Sequence, residues 1–491
     1  MTGFLHDLIE AAPDTSHWIR DGETYATLRE TVSALADTLR QRGVHPGDRV
    51  MLITETCPDA IRAVLALSQL GATVAPVNAR HTPAEIAALR AHLQPRALLV
   101  AAGSSDEAAA HGARLAATPL DQGTTPGLAM TTPDPVPPSA CPDRPEDRIA
   151  AILYTTGTTQ TPKGVMLSHA NLCWNARISA DLRDMVPSDL VLAVLPITHI
   201  FGFASVVLAV LATGARLWPM ARFEPGEVAA AMAEGVSVFP GVPQMFARLI
   251  TETEATPAPN LRYLSAGGAP LDPDWKTRIE ARYGLPLHNG YGMTEASPGI
   301  CATRPASPRV DISVGTALRD VNLRLCPDGA LEVRSPGVMR GYFRDPLATR
   351  TALTPDGWLR TGDLARIDPD GAVHILGRAK ELIIRGGFNI YPPEVEAALS
   401  LHPDVAQAAV IGRPSQGDEE VLAFVQTTAP VSQQALQDWL RTDLAPYKIP
   451  TRILLVDTLP TAPTGKILKH RLLDVFASEL GLDTESPCPA Q

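Results

Sequence analysis

The sequence lacks two features that would each point directly to a class of protein. None of its six cysteines forms a C-x-x-C pair, so the pattern does not suggest zinc and indicates free thiols in a reducing compartment. Lys and Arg number 42 against 53 Asp and Glu, and without a basic excess we do not expect nucleic acid as a partner. An anionic ligand would therefore need a local cationic site.

A continuous hydrophobic run long enough to cross a membrane is also missing. Residues 190–215 contain no Asp, Glu, Lys or Arg, but Pro196, Gly202 and Gly214 interrupt them, which favours a buried strand, a loop and a helix. The first ten residues, MTGFLHDLIE, carry acids and lack the apolar core of a signal peptide. We therefore expect a cytoplasmic protein with no integral membrane segment.

What is present is the pattern of an α/β protein with more than one domain, since 491 residues exceed one ordinary hydrophobic core. The first half alternates strand-like and helix-like runs, which predicts βαβ units and a parallel sheet. Residues 102–147, rich in Ala, Pro, Asp and Thr, predict a loop-rich surface connector. Residues 312–376 contain three Asp-Gly pairs and predict antiparallel hairpins, and a small α+β domain is expected to follow.

One loop has a composition suited to phosphate. Residues 154–165 read YTTGTTQTPKGV, in which Gly and Thr offer N–H groups and hydroxyls while Lys163 offers a countercharge. The loop is not a Walker A motif, because six residues separate Gly157 from Gly164 and the lysine precedes the second glycine. A structural Gly/Thr turn is the alternative interpretation.

Four further stretches accompany this loop: PITHIFGF (196–203), LHNGYGMTEAS (287–297), RTGDLARI with LGRAKELIIRGGFNIYPPEVE (360–396), and LPTAPTGKILKHRL (459–472). In this order and spacing, the five stretches resemble the motifs of the adenylate-forming superfamily, which includes acyl-CoA synthetases, adenylation domains and luciferases. The resemblance covers essentially the whole chain. It implies a large N-terminal region at 1–376, β-rich in 312–376, a hinge at 377–381 and a small mobile α+β domain at 382–491.

The resemblance also implies the reaction: an ATP-dependent carboxylic acid:CoA ligase forms acyl-AMP, releases pyrophosphate, and passes the acyl group to CoA with release of AMP. Its substrates would be a carboxylic acid, ATP and CoA, with Mg²⁺ as cofactor. Charge that builds on the phosphorus oxygens must be neutralised, which explains the lysines, threonines and N–H groups. The implied nucleotide contacts are Thr155, Thr156, Gly157, Thr158, Thr159, Lys163, Gly267, Asn289, Tyr291, Gly292, Thr294, Asp363, Arg378 and Lys466.

Within that set the resemblance assigns individual roles. Tyr291 would stack on adenine and Asn289 would meet its amino group. The Asp363 carboxylate would accept two ribose hydroxyls, with Arg378 as the second ribose contact, although Asp363 in isolation could equally close a turn. Glu295 would be the Mg²⁺ ligand. Taken alone, Tyr291 and Glu295 would more often be a packed aromatic ring and a solvated carboxylate. The implied catalytic residues are Lys163, His199, Thr294 and Lys466.

The acid pocket is implied by the P-x-x-H-x-x-G stretch, where His199 resembles the gate of the acyl site, although a satisfied core histidine is the alternative. The implied lining residues are His199, Ile200, Phe201, Phe239, Val242, Ser265, Ala266, Gly267, Gly290 and Met293. Aminoacyl-activating relatives carry an Asp just after the gate, whereas Ile200 and Phe201 follow here. An apolar fatty or aryl acid is therefore expected rather than an amino acid.

The second half-reaction has its own implied residues. Lys380 matches the hinge about which the small domain rotates, and Gly386 and Gly387 resemble the loop beside the CoA tunnel. Lys466 matches the lysine that reaches the α-phosphate during adenylation, with an exposed lysine of no role as the alternative. Gln160 departs from the pattern, because the family usually has glycine there, and it predicts either a stiffer loop or a locally different path of the loop.

Two other functions remain open at this point. An acyl-adenylating enzyme of the same fold could deliver the acyl group to a carrier protein or another acceptor, and a catalytically silent protein could bind ATP or acyl-AMP. Fold alone does not fix the acid. The sequence also leaves the oligomeric state open, and a homo-oligomer is compatible with it.

Overall fold

The computed structural model describes residues 3–20, 22–120, 125–155, 163–385, 388–415, 418–461 and 467–480. They form two compact units. The first contains residues up to 324 together with 332–361 and 367–373, and the second contains 325–331, 362–366 and the residues from 374 onward. Both units combine helices with strands, so the predicted α/β class is confirmed.

In chain order the strands of the described residues are β1 (Arg49–Thr54), β2 (Thr73–Asn78), β3 (Ala97–Ala101), β4 (Thr118–Pro119), β5 (Leu128–Met130), β6 (Ile149–Thr155), β7 (Lys163–Ser168), β8 (Leu190–Ala193), β9 (Arg216–Pro219), β10 (Val238–Gly241), β11 (Tyr263–Gly267), β12 (Leu287–Gly292), β13 (Gly299–Ala302), β14 (Thr316–Ala317), β15 (Asn322–Leu325), β16 (Ala330–Arg334), β17 (Gly341–Tyr342), β18 (Leu359–Ile367), β19 (Val373–Arg378), β20 (Ile383–Arg385), β21 (Phe388–Ile390), β22 (Val405–Ser415), β23 (Asp418–Thr427) and β24 (Arg452–Leu455).

The α-helices of the same residues are α1 (Tyr25–Gln41), α2 (Pro58–Leu70), α3 (Pro83–Leu93), α4 (Asp106–Arg114), α5 (His169–Leu182), α6 (Ala209–Thr213), α7 (Pro225–Glu234), α8 (Pro243–Glu252), α9 (Pro273–Tyr283), α10 (Pro346–Ala352), α11 (Pro392–Ser400), α12 (Gln433–Leu440) and α13 (Leu472–Val475). Short 3-10 helices lie at Leu5–Ile9, Ala102–Ser104, Thr294–Ala296, Ala379–Glu381, Pro446–Lys448 and Lys469–Arg471, and a π-helix lies at Phe201–Leu208.

An eight-stranded sheet has the order β17-β7-β6-β2-β1-β3-β5-β4. Its inner pairs β1/β2, β1/β3 and β2/β6 are parallel, which confirms the predicted βαβ units. Residues that favour helix ends mark where the connecting helices begin and end. α2 begins with Pro58 and ends before Gly71 at a φ of 79°, while Thr82 and Glu85 form a capping box at the start of α3.

The prediction of a loop-rich connector at 102–147 is wrong for its first part, which contains α4, β4 and β5. Ser105 caps α4 by accepting the Ala108 N–H at 3.2 Å, and Asp106 and Glu107 occupy the first turn. β5 is buried and pairs antiparallel with β3. A three-residue strand is too short to give an alternating pattern, which is why the sequence did not indicate it.

A seven-stranded sheet has the order β14-β13-β12-β11-β10-β8-β9, with parallel pairs from β9 to β12. β8 and the helices at 201–213 divide the uncharged stretch as expected, and no helix in the described part of the chain is long and apolar enough to cross a membrane. Since parallel strands end at the same edge, the carboxyl ends of β10, β11 and β12 lie side by side.

A four-stranded sheet follows in the order β15-β16-β18-β19. All three predicted Asp-Gly turns place glycine in the left-handed region, with φ of 82° at Gly329, 84° at Gly357 and 84° at Gly371. α10 was not predicted. Its first residue is Pro346, and Asp345 caps it by accepting the Ala348 N–H at 2.8 Å.

The second unit contains the hairpin β20-β21 and the sheet β22-β23-β24, in which β22 and β23 are antiparallel and β23 and β24 are parallel. α11 and α12 contribute Val395, Leu399, Leu436 and Leu440 to one core with Val410 and Val421. The predicted alternation of helices and strands after residue 390 is confirmed, although α11 ends at Ser400 rather than continuing to Val405.

Candidate active site

The predicted phosphate-loop lysine, Lys163, is the first residue of β7. Lys163 pairs with Thr155 across the antiparallel strands β6 and β7, and its ammonium lies 5.0 Å from the centre of the Tyr342 ring. A cation over a tyrosine face is attracted by the negative charge density of the ring. Thr156, Gly157, Thr158, Thr159 and Gln160 lie outside the described residues, so the structure describes the two ends of the loop, at Thr155 and at Lys163.

The same tyrosine contacts the predicted metal ligand. The Tyr342 hydroxyl donates to Glu295 Oε1 at 2.8 Å, and both residues are only 9% exposed. The main chain joins these parts as well, because the Met339 N–H donates to the Glu295 carbonyl oxygen at 2.8 Å and β17 pairs with β7. Lys163 and Glu295, predicted from different motifs, thus meet at Tyr342, which sequence reasoning missed.

Glu295 fits a magnesium ligand in its chemistry. One carboxylate oxygen accepts from Tyr342, and no other described residue donates to the second oxygen. The described residues contain no cluster of three or more His, Cys, Asp or Glu that could hold a metal by themselves. Mg²⁺ is commonly held by one or two carboxylates together with substrate phosphates and water, so a single carboxylate beside a phosphate loop suits it.

Asn289, the predicted adenine contact, already has partners in the chain. Its Nδ2 donates to the carbonyl oxygens of Ile312 at 3.0 Å and Ser313 at 3.3 Å. Its Oδ1, the atom that an amino group would need as acceptor, receives the Gly290 N–H at 3.0 Å. The side chain is 5% exposed and holds the segment at 312–313 against β12.

The remaining residues of this motif lie at the end of β12. Tyr291 is half-buried, and Thr294 is 9% exposed at the start of a 3-10 helix. A Cβ at Gly292 would stand 2.1 Å from the Pro298 carbonyl oxygen, a contact that no side chain could tolerate. Glycine is therefore required at 292 by the close approach of the following turn.

The two predicted ribose contacts are joined to each other within the second unit. Arg378 Nε lies 2.8 Å from Asp363 Oδ1, and the side chain of Asp363 is 4% exposed against 44% for Arg378. Such charge-assisted hydrogen bonds are short and directional. The pair therefore holds the Asp363 carboxylate in one orientation.

The acyl-pocket prediction brings three residues together. A Cβ built on Gly267 would lie 3.2 Å from Phe201 Cε1 and 3.3 Å from the Gly290 carbonyl oxygen. The Phe201 ring therefore packs directly against the glycine at the end of β11, beside β12. Val242 is close to the same edge, since its Cγ1 lies 3.9 Å from a Cβ built on Gly268.

Other predicted lining residues have different environments. His199 is exposed, and its Nδ1 accepts the Phe201 N–H at 3.4 Å. Phe239 is fully buried, with its ring centre 4.9 Å from that of Phe246 in the core between the sheet and its helices. Ile200, Ser265 and Ala266 are buried, whereas Met293 is half-buried.

The predicted hinge adjoins a charged cluster that the sequence did not indicate. Lys380 is exposed in the 3-10 helix Ala379–Glu381. Lys469 Nζ lies 3.3 Å from Glu381 Oε2 and 2.7 Å from Glu396 Oε1. Burial raises the pKa of Glu396, although Lys469 acts in the opposite direction. Gly386, Gly387 and Lys466 lie outside the described residues.

Comparison with known proteins extends these observations. Residues 6–343 match the sequence model of the family described as AMP-binding enzyme, and residues 394–466 match its C-terminal domain. A feruloyl-CoA synthase from Amycolatopsis sp is 36% identical over 466 residues, which cover 91% of this chain and 92% of that protein.

Solved structures are similar over almost their full length. ATP-bound MatB from Rhodopseudomonas palustris is 30% identical, with a TM-score of 0.83 and coverage of 97% of this chain and 99% of the other. The amide bond synthetase McbA from Marinactinospora thermotolerans is 27% identical, with a TM-score of 0.83 and coverage of 96% and 99%. The architecture described above is thus shared with both.

Proposed function

Because this chain belongs to the family of AMP-binding enzymes, we propose that it is an ATP-dependent carboxylic acid:CoA ligase. It joins a carboxylic acid to AMP with release of pyrophosphate, and then transfers the acyl group to CoA with release of AMP. The predicted resemblance to adenylate-forming enzymes is confirmed by the two family matches.

The observation that carries this proposal is the meeting of Lys163 and Glu295 at Tyr342. A lysine from the phosphate loop and a carboxylate with one oxygen to which no described residue donates are the groups needed to hold a triphosphate and its divalent cation. Thr294, next to Glu295, offers a hydroxyl to the α-phosphate. The cation, when bound, neutralises charge on the phosphates as the pyrophosphate leaves.

In the first step, the acid carboxylate attacks the α-phosphorus and the pyrophosphate oxygen takes the bonding electron pair. Lys163 faces the departing pyrophosphate, and Lys466 is proposed to approach the α-phosphate from the second unit. Asp363 accepts hydrogen bonds from the ribose hydroxyls, with Arg378 holding it in place. Tyr291 supplies a ring face for adenine.

In the second step, the CoA thiolate attacks the acyl carbon of acyl-AMP and AMP leaves. We place the N-terminal region at 1–376, the hinge at 377–381 and the mobile domain at 382–491, with Lys380 as the pivot. The exposed 3-10 helix around Lys380, between β19 and β20, supports this assignment. Gly386 and Gly387 would then line the approach of the thiol arm.

The acid is proposed to be an apolar fatty or aryl acid. The Phe201 ring packs closely against Gly267, which pairs with Gly290 in the sheet, and this edge is uncharged; we assign the exposed His199 as its gate. The name of the similar feruloyl-CoA synthase, a protein acting on an aryl acid, agrees with that class. We also propose a reducing, cytoplasmic location, in keeping with the five cysteines among the described residues, which are all free thiols.

The test is a screen of carboxylic acids for acid-dependent exchange of labelled pyrophosphate into ATP, followed by a free-thiol assay with CoA. Exchange with an aryl or fatty acid and loss of CoA thiol are the expected results. Exchange without thiol consumption would favour the alternative in which the acyl group passes to an acceptor other than CoA. The similarity to an amide bond synthetase is a reason to test that alternative. ATP binding without exchange for any acid would refute the enzyme assignment.

A further inference from the structure

Tyr342 is the residue through which two charged groups of the proposed site meet. The face of its ring carries the Lys163 ammonium at 5.0 Å, and its hydroxyl donates to Glu295 Oε1 at 2.8 Å. The two contacts use different parts of one side chain. Chemical changes can therefore remove one contact while keeping the other.

The backbone around Tyr342 is fixed independently of these contacts. Its N–H donates to Thr349 Oγ1 at 2.9 Å, and the residue pairs with Val165 in the sheet. Gly341 has a φ of 133°, and a Cβ there would lie 2.8 Å from Thr349 Cγ2. The strand that carries the tyrosine is thus held by α10 on one side and by β7 on the other, so its side chain has a defined direction.

A hydroxyl that donates to one oxygen of a carboxylate sets the rotation of that carboxylate. With Oε1 held by Tyr342, Oε2 of Glu295 keeps one direction and meets no other donor among the described residues. Groups that orient a metal ligand in this way typically contribute 10 to 100-fold to metal affinity. The ring face similarly restricts a lysine that would otherwise sample many rotamers.

We infer that Tyr342 is a positioning residue that orients Glu295 for a divalent cation and Lys163 for the phosphates of the nucleotide. The inference rests on the proposed function, since it takes ATP with a divalent cation as the ligand. It extends that function by making metal binding depend on the hydroxyl and phosphate binding depend on the ring.

The test compares Tyr342→Phe, which keeps the ring, with Tyr342→Leu, which removes both contacts. Mn²⁺ binding in the presence of a non-hydrolysable ATP analogue is followed by electron paramagnetic resonance, and binding of the analogue without metal is followed by calorimetry. For Tyr342→Phe we expect Mn²⁺ affinity to fall about 10 to 100-fold with the metal-free affinity unchanged. For Tyr342→Leu both affinities should fall.

Tyr25→Phe is the matched control, because it also removes a buried hydroxyl outside the proposed site. That hydroxyl donates to the Ala215 carbonyl oxygen at a distance of 2.9 Å. The Tyr25→Phe variant should leave both affinities unchanged. Thermal unfolding of each variant separates loss of fold from loss of binding. In Glu295→Gln, adding Tyr342→Phe should cause no further loss of Mn²⁺ affinity, because the hydroxyl acts through that carboxylate.

Wild-type Mn²⁺ affinity in a folded Tyr342→Phe variant would overturn the inference, and so would equal losses in Tyr25→Phe. Additive losses in the double variant would show that the hydroxyl does not act through Glu295. Pyrophosphate exchange by the unaltered protein is measured separately. Its absence would refute the proposed function, whereas the binding measurements on the variants decide the role of Tyr342 alone.

Discussion

The phosphate side and the acyl side of the candidate site are built from opposite kinds of contact. On the phosphate side, Lys163, Tyr342 and Glu295 are charged or polar, and each has a defined partner. On the acyl side, Gly267 packs against the Phe201 ring and lies beside the carbonyl oxygen of Gly290, with no charged group among these contacts. One side holds charges in fixed positions, and the other defines a shape.

This difference separates what the reaction requires from what the substrate requires. Neutralising charge on phosphorus oxygens is the same task for every carboxylic acid, so the phosphate side should affect all acids alike. The acyl side contacts the part of the acid that varies, where a single added methylene or methyl group changes the fit. Substitutions on the two sides should therefore produce different patterns across a series of acids.

The largest effect is expected for Glu295→Gln, which removes the negative charge but keeps the size of the side chain. Loss of the cation's charge stabilisation costs several kcal/mol, or about 1000-fold in rate. Exchange of pyrophosphate should fall by this factor for short and long acids alike. Unequal losses across the series would contradict the division into two sides, and a higher Mg²⁺ requirement should accompany the loss.

The next effect concerns Lys466, which lies outside the described residues and is proposed to act only during adenylation. Removing one preorganised cation from such a site typically costs on the order of 100 to 1000-fold. Lys466→Ala should lose pyrophosphate exchange by that factor for every acid. Conversion of supplied acyl-AMP and CoA to thioester should stay near the wild-type rate. Equal loss of both half-reactions would make Lys466 structural or shared between them.

A smaller effect, with a different pattern, is expected on the acyl side. In Gly267→Ala the new methyl would lie 3.2 Å from the Phe201 ring, so the ring must move. Overpacking of this kind costs about 1 to 3 kcal/mol, or roughly 5 to 150-fold. The kcat/KM for aryl or long-chain acids should fall by that amount, with acetate much less affected. Gly226→Ala is the control, because this residue lies in α7 outside the proposed site and a Cβ there would have no heavy atom within 4 Å.

The residues proposed to carry the reaction chemistry could be identified from the sequence because their types and spacing match the motifs of adenylate-forming enzymes. Lys163 and Glu295 are recognisable in their motifs, and the structure brings them together. Tyr342 could not be predicted, because it lies far along the chain in a two-residue strand, and only the pairing of β17 with β7 places it beside Lys163. Such pairings of remote segments leave no periodic signal.

The packing partners of individual side chains could likewise not be predicted from the sequence. Phe239 was expected in the acid pocket, but in the structure its ring packs on Phe246 in the core. The motif around Asn289 does not reveal that its amide binds the backbone at 312–313. Helical and strand patterns of ordinary length were predicted well, whereas α4 and β5 were hidden in a segment rich in Ala and Pro. Local composition misleads where tertiary contacts decide.

The smallest effect is expected from the titration of His169, and it tests whether the phosphate side and the acyl side unfold as one cooperative unit. His169 begins α5, directly after the strand that starts with Lys163, and is fully buried. Its Nδ1 accepts the Leu5 N–H at 3.2 Å, and the Phe4 ring lies edge-on at 5.0 Å. Burial lowers the pKa of His169 to about 3, with His6 and Arg148 acting in the same direction. The folded protein therefore keeps this imidazole neutral.

The sign of the pH dependence follows from that depressed pKa. Below pH 6.5 the unfolded chain binds a proton at His169 that the folded chain does not, so stability falls as the pH decreases towards 3. Between pH 6.5 and 5 this group lowers the free energy of unfolding by about 2 kcal/mol.

His169→Gln, which keeps an acceptor near Leu5 but cannot titrate, should show a flatter decline of the melting temperature over this range. If the phosphate and acyl sides belong to one unit, Mn²⁺-nucleotide binding and acid selectivity should be lost together at the same pH in the wild type, and the variant should shift both to lower pH. Loss of one side before the other, or an unchanged pH profile in His169→Gln, would contradict this expectation.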